Sequence, residues 1–412
     1  MVDAQRPLRI LEAIHWQPDV EEQFFARNCR ELPPMTRKGY ERNPLPFDRR
    51  PKLRELRELE HDICRQLGHA NACSQMMVQR CREYRRVVEL LSSRGTPTFA
   101  AVSQGLFGSS GWISRNNSMS LRAIGKLIKQ AVTHLAWPES HCNQPLHDAY
   151  AAARILSERL RDYFGEGVLF RTKLTPDLTA DASAGGATIN IRGDAQFTDW
   201  EIRLLEVHEG WVHLATTLNG RNQPLCRFLG KNSPSATVTQ EGLAVLTEIL
   251  TGTSHPRRLR RLANRIEAVG MVEAGADFLD VYGFYLEEDE TPRSSYQQTH
   301  RVFRGGLPCG CGPFTKDLGY SKGLLLLLEY LDRAQRVGQA KQASLLFCGK
   351  TCVEEIPNLA QLVEEGIILE PEFVPPPFAA EAVLELWTSV ARAVTSSLCG
   401  CLQTVGGADL DS

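Results

Sequence analysis

Long hydrophobic runs are missing from the chain, and so is a strong net charge. The longest apolar run, residues 324–328, falls far short of the roughly 20 residues that a membrane-spanning helix needs. With 47 basic and 49 acidic residues the formal charge is −2, so no global field draws the protein to nucleic acid or to an anionic membrane. No signal-peptide core follows Met1, because Arg6, Arg9 and Glu12 interrupt the first residues. We therefore predict a soluble, cytoplasmic protein whose partners include neither nucleic acid nor membrane.

Cysteines in a zinc-ribbon pattern are missing as well. Twelve cysteines are present, but no two close pairs combine into a two-by-two set with the spacing of such a site. In a cytoplasmic protein a disulfide framework has no oxidising compartment to support it. We expect reduced thiols in the close pairs, which are Cys309 with Cys311, Cys348 with Cys352, and Cys399 with Cys401.

The chain does have an ordinary globular composition, with 42% apolar and 23% charged residues over 412 positions. Its basic stretch, residues 37–57, runs into acidic residues and is typical of a solvated helix face. A capping box from Thr198 to Glu201 opens one helix, and a small-residue turn at 184–186 separates two predicted strands. The pattern indicates an α+β fold, mostly helical, with a small sheet beside the helix that follows Thr198. Helices are predicted at 50–91 (one or two), 121–135, 147–164, 237–250, 256–286, 321–337 and 379–397, and strands at 168–174 and 187–191.

Two short motifs supply the ligands that a zinc ion prefers. The first reads His208-Glu209-Gly210-Trp211-Val212-His213, and the second places Glu241 between Gln240 and Gly242. Two imidazoles and a carboxylate are a common zinc ligand set that leaves a position open for water. Glu209 follows the first histidine directly, which is the position of the general base in the shorter H-E-x-x-H motif.

The first motif has one residue more than that shorter motif. In a regular α-helix five residues turn through about 500°, which leaves the second imidazole roughly 140° away from the first. A π-bulge would absorb the extra residue, and Gly210 would tolerate the distortion. We therefore predict a π-type irregularity between His208 and His213, with one zinc ion between these histidines and Glu241.

A plainer interpretation is also open, because histidine–glutamate pairs are common on amphipathic helices. A lone His213 is more often a buried, hydrogen-bonded histidine than a metal ligand. The second motif favours the metal, since Glu241 lies near the start of a predicted helix beside Gly242 and Ala244, small residues that let two helices approach closely. Glu248, two turns further on the same face, could hold a supporting position behind the ligands.

Several segments of the chain resemble those of a known family. The segments are residues 206–210, 218–220 with 223–224, 239–244 and 313–318, and they are similar to the family named for its QEGLA motif. Bacterial members are called flavohaemoglobin expression-modulating QEGLA motif proteins, and eukaryotic members include the microtubule-associated tyrosine carboxypeptidases. The resemblance implies a zincin-like zinc metallopeptidase with one Zn²⁺ per chain, His208, His213 and Glu241 as ligands and Glu209 as catalytic base. It does not imply tubulin as the substrate.

The implied enzyme has three parts and acts on a peptide or on a protein C-terminus. Residues 1–95 are a mainly helical N-terminal segment, 96–371 the zincin-like catalytic domain, and 372–412 a proline-rich connection with a last helix. An oxyanion donor and, in a carboxypeptidase, a cation for the terminal carboxylate are still needed. The candidates are Arg304, Lys316 and Tyr320, with Arg304 the first choice for the carboxylate, although such residues are often only solvated.

Two further hypotheses complete the sequence-based prediction. The strand at 187–192 is expected to offer a free edge to an extended substrate, the alternative being a core strand paired on both sides. A non-catalytic regulatory or binding protein that retains a metal site is the alternative function. The intact Glu209 argues against it, because a binding protein has no need of that residue.

Overall fold

Helices make up most of the molecule, with two small sheets among them, so the predicted α+β class is confirmed at that level. The computed structural model describes residues 1–114, 119–133, 135, 146–176, 178, 180–288, 290–379 and 389. No helix in these ranges is both long and apolar enough to cross a bilayer. The α-helices are α1 (Val2–Gln5), α2 (Ile10–Ala13), α3 (Pro18–Ala26), α4 (Arg37–Glu41), α5 (Arg49–Leu67), α6 (Ala72–Ser92), α7 (Pro97–Phe107), α8 (Leu121–Thr133), α9 (Ala149–Phe164), α10 (Asp199–Leu205), α11 (Ala215–Asn222), α12 (Pro234–Leu250), α13 (Pro256–Glu273), α14 (Phe278–Glu287), α15 (Pro292–Phe303), α16 (Gly319–Arg336), α17 (Ile356–Glu364) and α18 (Pro376–Ala379). A π-helix, Glu206–Leu214, joins α10 to α11, and 3₁₀-helices lie at Arg227–Gly230, Lys316–Leu318, Ala340–Phe347 and Val353–Glu355.

Local signals explain where the predicted helices divide. The helical stretch 50–91 is two helices, because Gly68 ends α5 with a φ of 78° and the Asn71 side chain caps α6. The stretch 256–286 divides at Gly275, which has a φ of 104°, and Asp277 opens α14 with a capping box. The predicted last helix, 379–397, lies outside the described residues except for positions 379 and 389.

The sheet beside the π-helix has three strands, which lie in the order Arg171–Thr175, Thr188–Arg192 and Ala182–Gly185. Its strands are β2 (Arg171–Thr175), β3 (Ala182–Gly185) and β4 (Thr188–Arg192), with β4 parallel to β2 and antiparallel to β3. The second sheet pairs β1 (His147–Asp148) with β5 (Gln196–Phe197).

The prediction that residues 187–192 form a free edge is wrong. β4 is hydrogen-bonded on both sides, to β2 and to β3, so it is the centre of the sheet. Its Ile189 and Ile191 are fully buried in the core that also contains α9 and the π-helix. The chain segment that the sequence showed as a small-residue turn contributes β3 instead, and β3 has no further partner strand among the described residues.

Helices α12 and α16 pack so closely that only glycine is accommodated between them. A Cβ at Gly242 would lie 2.1 Å from the backbone carbon of Gly323, and one at Gly323 would lie 1.9 Å from the carbonyl oxygen of Val238. The expected close helix approach at Gly242 is therefore present. It fixes α12, and with it Glu241, against the rest of the core.

The N-terminal segment shares its core with the rest of the chain. Leu8, Ile14 and Leu56 are buried in one cluster with Val238 and Phe314. Several residues of this segment, among them Gln5, Arg9 and His15, also line the large cleft that is described below. The boundary at residue 95 stays a prediction.

Candidate active site

A π-helix brings the two histidines of the motif together. It spans Glu206–Leu214 and follows α10, whose N-terminus is capped by the Thr198–Glu201 capping box. Its hydrogen bonds join residues five apart, so side chains at that spacing lie one above the other. The rings of His208 and His213 have centroids 4.8 Å apart. The predicted irregularity is confirmed, and it extends over nine residues rather than a single bulge.

Gly210 has a packing role as well as a conformational one. A Cβ at this position would lie 2.3 Å from Cδ2 of Leu160 in α9. A side chain at this position would require Leu160 to shift, so glycine allows the present packing of the π-helix against α9.

Glu241 completes a cluster that could hold a metal ion. Its Oε2 lies 3.6 Å from Nε2 of His208 and 3.5 Å from Nε2 of His213. One ligand atom from each of the three residues lies within 4.8 Å of the others. Donor atoms around a tetrahedral zinc with bonds of about 2.1 Å are separated by about 3.4 Å, so the spacing fits zinc. Oε2 of Glu241 is also buried without a hydrogen-bond partner in the described structure, which a cation would supply.

Glu248 lies directly behind the first histidine. Its Oε1 accepts a hydrogen bond from Nδ1 of His208 at 2.6 Å, which leaves Nε2 facing Glu241. Arg258 donates from Nε and Nη2 to the same carboxylate, at 3.1 and 3.0 Å. Burial would raise the pKa of Glu248, but Arg258 and His208 outweigh it and lower the pKa to about 2. The supporting position that the sequence suggested for Glu248 is thus a hydrogen bond that fixes one imidazole.

The charges of the cluster favour a cation. Burial alone would lower the pKa of His208, yet the nearby carboxylates of Glu241 and Glu248 raise it to about 10. Burial lowers the pKa of His213. Although burial opposes it, Lys316 and the two histidines hold the pKa of Glu241 well below its usual value. The raised pKa of His208 indicates that the surrounding carboxylates favour positive charge at this ring.

Glu209 lies beside the cluster and is held by the edge of the sheet. Its Oε1 is 3.9 Å from Nε2 of His208, and its Oε2 accepts a hydrogen bond of 2.6 Å from the backbone N–H of Ala184 in β3. The side chain is buried, yet it lines the cleft. One carboxylate oxygen therefore remains on the side of the histidines.

All three sequence candidates for substrate contact line the same cleft. Nζ of Lys316 donates to Oε1 of Glu241 at 3.1 Å, and the ring of Tyr320 lies 6.2 Å from that of His208. Arg304 is buried, with Nη2 3.9 Å from Oδ1 of Asp317, so it is not simply a solvated loop residue.

Other charged residues of the site had no local signal in the sequence. Nζ of Lys350 donates to the carbonyl oxygen of His213 at 2.8 Å and lines the cleft, although 137 positions separate the two residues. Burial lowers the pKa of Lys350 to about 7. Arg265 and Arg301 come from α13 and α15 and surround Tyr320 and Asp317. In the sequence, Arg265 and Arg301 are only polar positions on predicted or unremarkable segments, and Lys350 lies outside any helix.

The cluster lies where two cavities meet. The larger one, about 760 Å³, runs from Glu209 past His213 and Lys350 to the N-terminal segment. The smaller one, about 320 Å³, opens on the side of His208 and is lined by several arginines of α13 and α15. Both cavities contact His208, Glu209 and Tyr320, so the cluster can be reached from two directions.

Fold and site together define a mostly helical α+β protein with a candidate metal centre on a π-helix. Over residues 22–396 the chain matches the family model described as microtubule-associated tyrosine carboxypeptidase. The chain therefore belongs to that family, as its motifs predicted. A comparison with curated proteins found no match.

Proposed function

We propose that this protein is a zinc-dependent, zincin-like metallopeptidase of the carboxypeptidase type that hydrolyses a peptide bond near a peptide or protein C-terminus. The observation that carries the proposal is the convergence of His208, His213 and Glu241, with Glu209 alongside. Membership in a family described as tyrosine carboxypeptidases supports peptidase chemistry. The name of that family does not make tubulin the substrate of this chain.

The ligand atoms fit zinc, and each residue has a distinct task. A zinc ion held there would supply Lewis-acid chemistry, lowering the pKa of water towards about 7 and polarising a carbonyl group. Glu209 accepts a proton from the attacking water and passes it to the leaving amine. The N–H of Ala184 holds one Glu209 oxygen, so the other oxygen is kept in position for this transfer. Glu248 fixes the tautomer of His208 through Nδ1.

The oxyanion donor is assigned here to Tyr320. Lys316 already donates to Glu241 and neutralises that carboxylate, so its ammonium group is engaged. Tyr320 lies over the His208 ring and lines both cavities, which places it opposite the motif helix. One such donor is worth about 3 kcal/mol in the transition state.

An extended substrate is proposed to pair with the outer edge of β3. The N–H of Arg192 donates to the carbonyl oxygen of Asp181, and Ala182 pairs with Ile191 in register. Because antiparallel pairs alternate, Ala182 and Ala184 direct their backbone groups away from β4. The N–H of Ala184 is used by Glu209, while the N–H and C=O of Ala182 have no partner among the described residues and could form main-chain hydrogen bonds with a peptide.

The alternative function is a binding protein that keeps a metal site without hydrolysis. A pure binding site needs the ligands, whereas it does not need a second glutamate held by a strand amide at 2.6 Å. The position of Glu209 therefore favours catalysis.

The test measures zinc and cleavage separately. Purified protein is analysed for zinc by mass spectrometry and incubated with an unbiased peptide library whose products are identified by mass spectrometry. We expect about one zinc per chain and cleavage that disappears in Glu209→Gln while zinc is retained. Glu158→Gln, a change at an exposed glutamate on α9, is the matched control and should cleave normally. Zinc binding without any cleavage by the unaltered protein would favour the binding protein instead.

A further inference from the structure

We propose that the smaller cavity holds the last residue of the substrate, and that Arg265 binds the free α-carboxylate of that residue. This inference rests on the proposed peptidase function and assigns the end of the chain that the enzyme recognises. Four observations carry it: an unpartnered buried guanidinium, the pairing of its neighbours, the direction of β3, and the sizes of the two cavities.

Arg265 is a buried cation with two nitrogens that have no hydrogen-bond acceptor among the described residues. Arg265 is 8% exposed and lines the smaller cavity. Its Nε and Nη1 are the nitrogens without an acceptor in the described part of the chain. Its guanidinium carbon lies 4.8 Å from the centroid of the Tyr320 ring, which itself faces His208. Burying an incompletely paired charge is costly, so these free guanidinium nitrogens at a cavity wall favour the binding of an anion there.

The neighbouring arginines are already paired. Arg258 is bound through two nitrogens to Glu248, and Nε of Arg301 donates to Oδ2 of Asp317 at 2.6 Å. Asp317 therefore accepts its one side-chain hydrogen bond in the described part of the chain from Arg301, and it attracts Arg265 only through its charge. Burial and the positive charge of Arg301 lower the pKa of Arg265, and the opposing effects of Tyr320 and Asp317 do not restore its ordinary value. A carboxylate that accepts two parallel N–H bonds is the ligand that best matches a guanidinium.

The direction of β3 places the C-terminus of a substrate on this side. β3 runs from Ala182 to Gly185, and the residues before it, Ala180 and Asp181, line the smaller cavity. A peptide that adds antiparallel to the free edge runs from the Gly185 end towards the Ala180 end. Antiparallel pairing is the commoner arrangement, and it points the carboxyl end of the substrate towards Arg265.

The cavity sizes agree with that direction. A cavity of about 320 Å³ suits one terminal residue, whereas the cleft of about 760 Å³ suits the chain that precedes the scissile bond. Arg304, the first choice from the sequence for the carboxylate, lines the larger cleft and lies near Asp317. The proposal therefore assigns the carboxylate to a residue that the sequence did not single out.

The experiment measures equilibrium binding in the zinc-loaded Glu209→Gln protein, so that no turnover is needed. The probes are N-acetyl-Ala-Ala-Ala-Tyr as the free acid and as the C-terminal amide, with tyrosine chosen because the family description names it. We expect the acid to bind on the order of 10²-fold more tightly than the amide, the scale of a buried charge pair. Adding Arg265→Met should bring the two affinities together, and Arg265→Lys should restore part of the difference.

A control and a stability measurement separate binding from structure. Arg260→Met alters an arginine of the same helix that pairs with Glu288 outside the smaller cavity, and it should keep the preference for the acid. A structural Arg265 would make Arg265→Met unfold more easily, whereas an unpaired buried charge predicts equal or greater resistance to urea. If Arg265→Met does not fold, the reduced preference in Arg265→Lys still tests the proposal.

The two proposals fail in different ways. Equal binding of acid and amide by the Glu209→Gln protein overturns the carboxylate assignment, whether or not the unaltered protein cleaves peptides. A preference for the acid that depends on Arg265, together with no cleavage by the unaltered protein, supports the assignment and overturns the peptidase function. Loss of the preference in Arg260→Met as well would overturn the specific role of Arg265.

Discussion

Replacing Glu248 by glutamine should weaken zinc binding and destabilise the metal-free protein at the same time. The carboxylate is fully buried, fixes His208 through a 2.6 Å hydrogen bond and accepts two more from Arg258. Glutamine has nearly the same shape, but it loses the charge and offers one acceptor oxygen. Removing the partner behind a zinc-ligating histidine costs 10- to 100-fold in metal affinity, or about 1.4–2.7 kcal/mol.

The stability cost follows from the pKa of Glu248. A pKa lowered from 4.5 to about 2 corresponds to about 3 kcal/mol of stability at neutral pH. Because the folded pKa is the lower one, this stabilisation is complete above pH 4.5 and is lost as the pH falls towards 2. We therefore expect Glu248→Gln to lower the free energy of unfolding by about 3 kcal/mol between pH 5 and 8, measured by urea denaturation without metal.

A second buried glutamate provides the matched control. Glu355 pairs with the buried Arg80 at 3.2 Å, and it is neither one of the clustered candidate ligands nor hydrogen-bonded to one of them in the described structure. Glu355→Gln should also lower the free energy of unfolding, but its zinc affinity, measured by competition with a chromophoric chelator, should not change. If Glu248→Gln binds zinc as tightly as the unaltered protein, the hydrogen bond to His208 has no role in holding the metal.

Three further predictions address packing, titration and substrate contact. Gly242→Ala should lower the free energy of unfolding by about 3 kcal/mol or more, measured by urea denaturation, since its Cβ would lie 2.1 Å from neighbouring backbone. Gly283→Ala, with open space at its Cβ, should instead stabilise the protein by about 0.5–1 kcal/mol. Equal effects of the two substitutions would contradict the packing argument. Burial and Arg304 hold the pKa of His300 well below 6.5, so the free energy of unfolding decreases as the pH drops below 6.5. His300→Phe should therefore remove about 1.4 kcal/mol of the decrease in unfolding free energy between pH 7.5 and 5.5. An unchanged pH dependence of stability in His300→Phe would refute this prediction. Ala182→Pro, which removes an outward N–H, should raise KM for peptide cleavage with zinc content unchanged, and an unaltered KM would exclude pairing with β3.

Much of the site's local geometry was predictable from the sequence. The five-residue spacing of His208 and His213 requires a departure from the α-helix, and the structure has a π-helix there. The Thr198 capping box and the close approach at Gly242 are also local or chemical signals, and both are present. These features depend on neighbouring residues or on the size of one side chain, which is why the sequence reveals them.

The strand order could not be predicted in the same way. Residues 187–191 alternate, which indicated a half-buried strand, and Ile189 and Ile191 are indeed buried. Whether such a strand is central or at an edge depends on which other segment pairs with it. The small residues of β3 have low strand preference by themselves, and β4 provides the hydrogen bonds that make them a strand.

The sequence by itself determined the ligand candidates, their spacing and the helices that carry them, because those properties reside in residues a few positions apart. Only the tertiary structure decided the charges around them. Lys350 reaches the carbonyl of His213 across 137 positions, and the N–H of Ala184 holds Glu209 from a strand. In the part of the chain that the structure describes, Nε and Nη1 of Arg265 have no hydrogen-bond acceptor, while the neighbouring Arg301 donates to Asp317. Such pairings depend on which distant groups share a low-dielectric interior, and no local pattern in the chain records that.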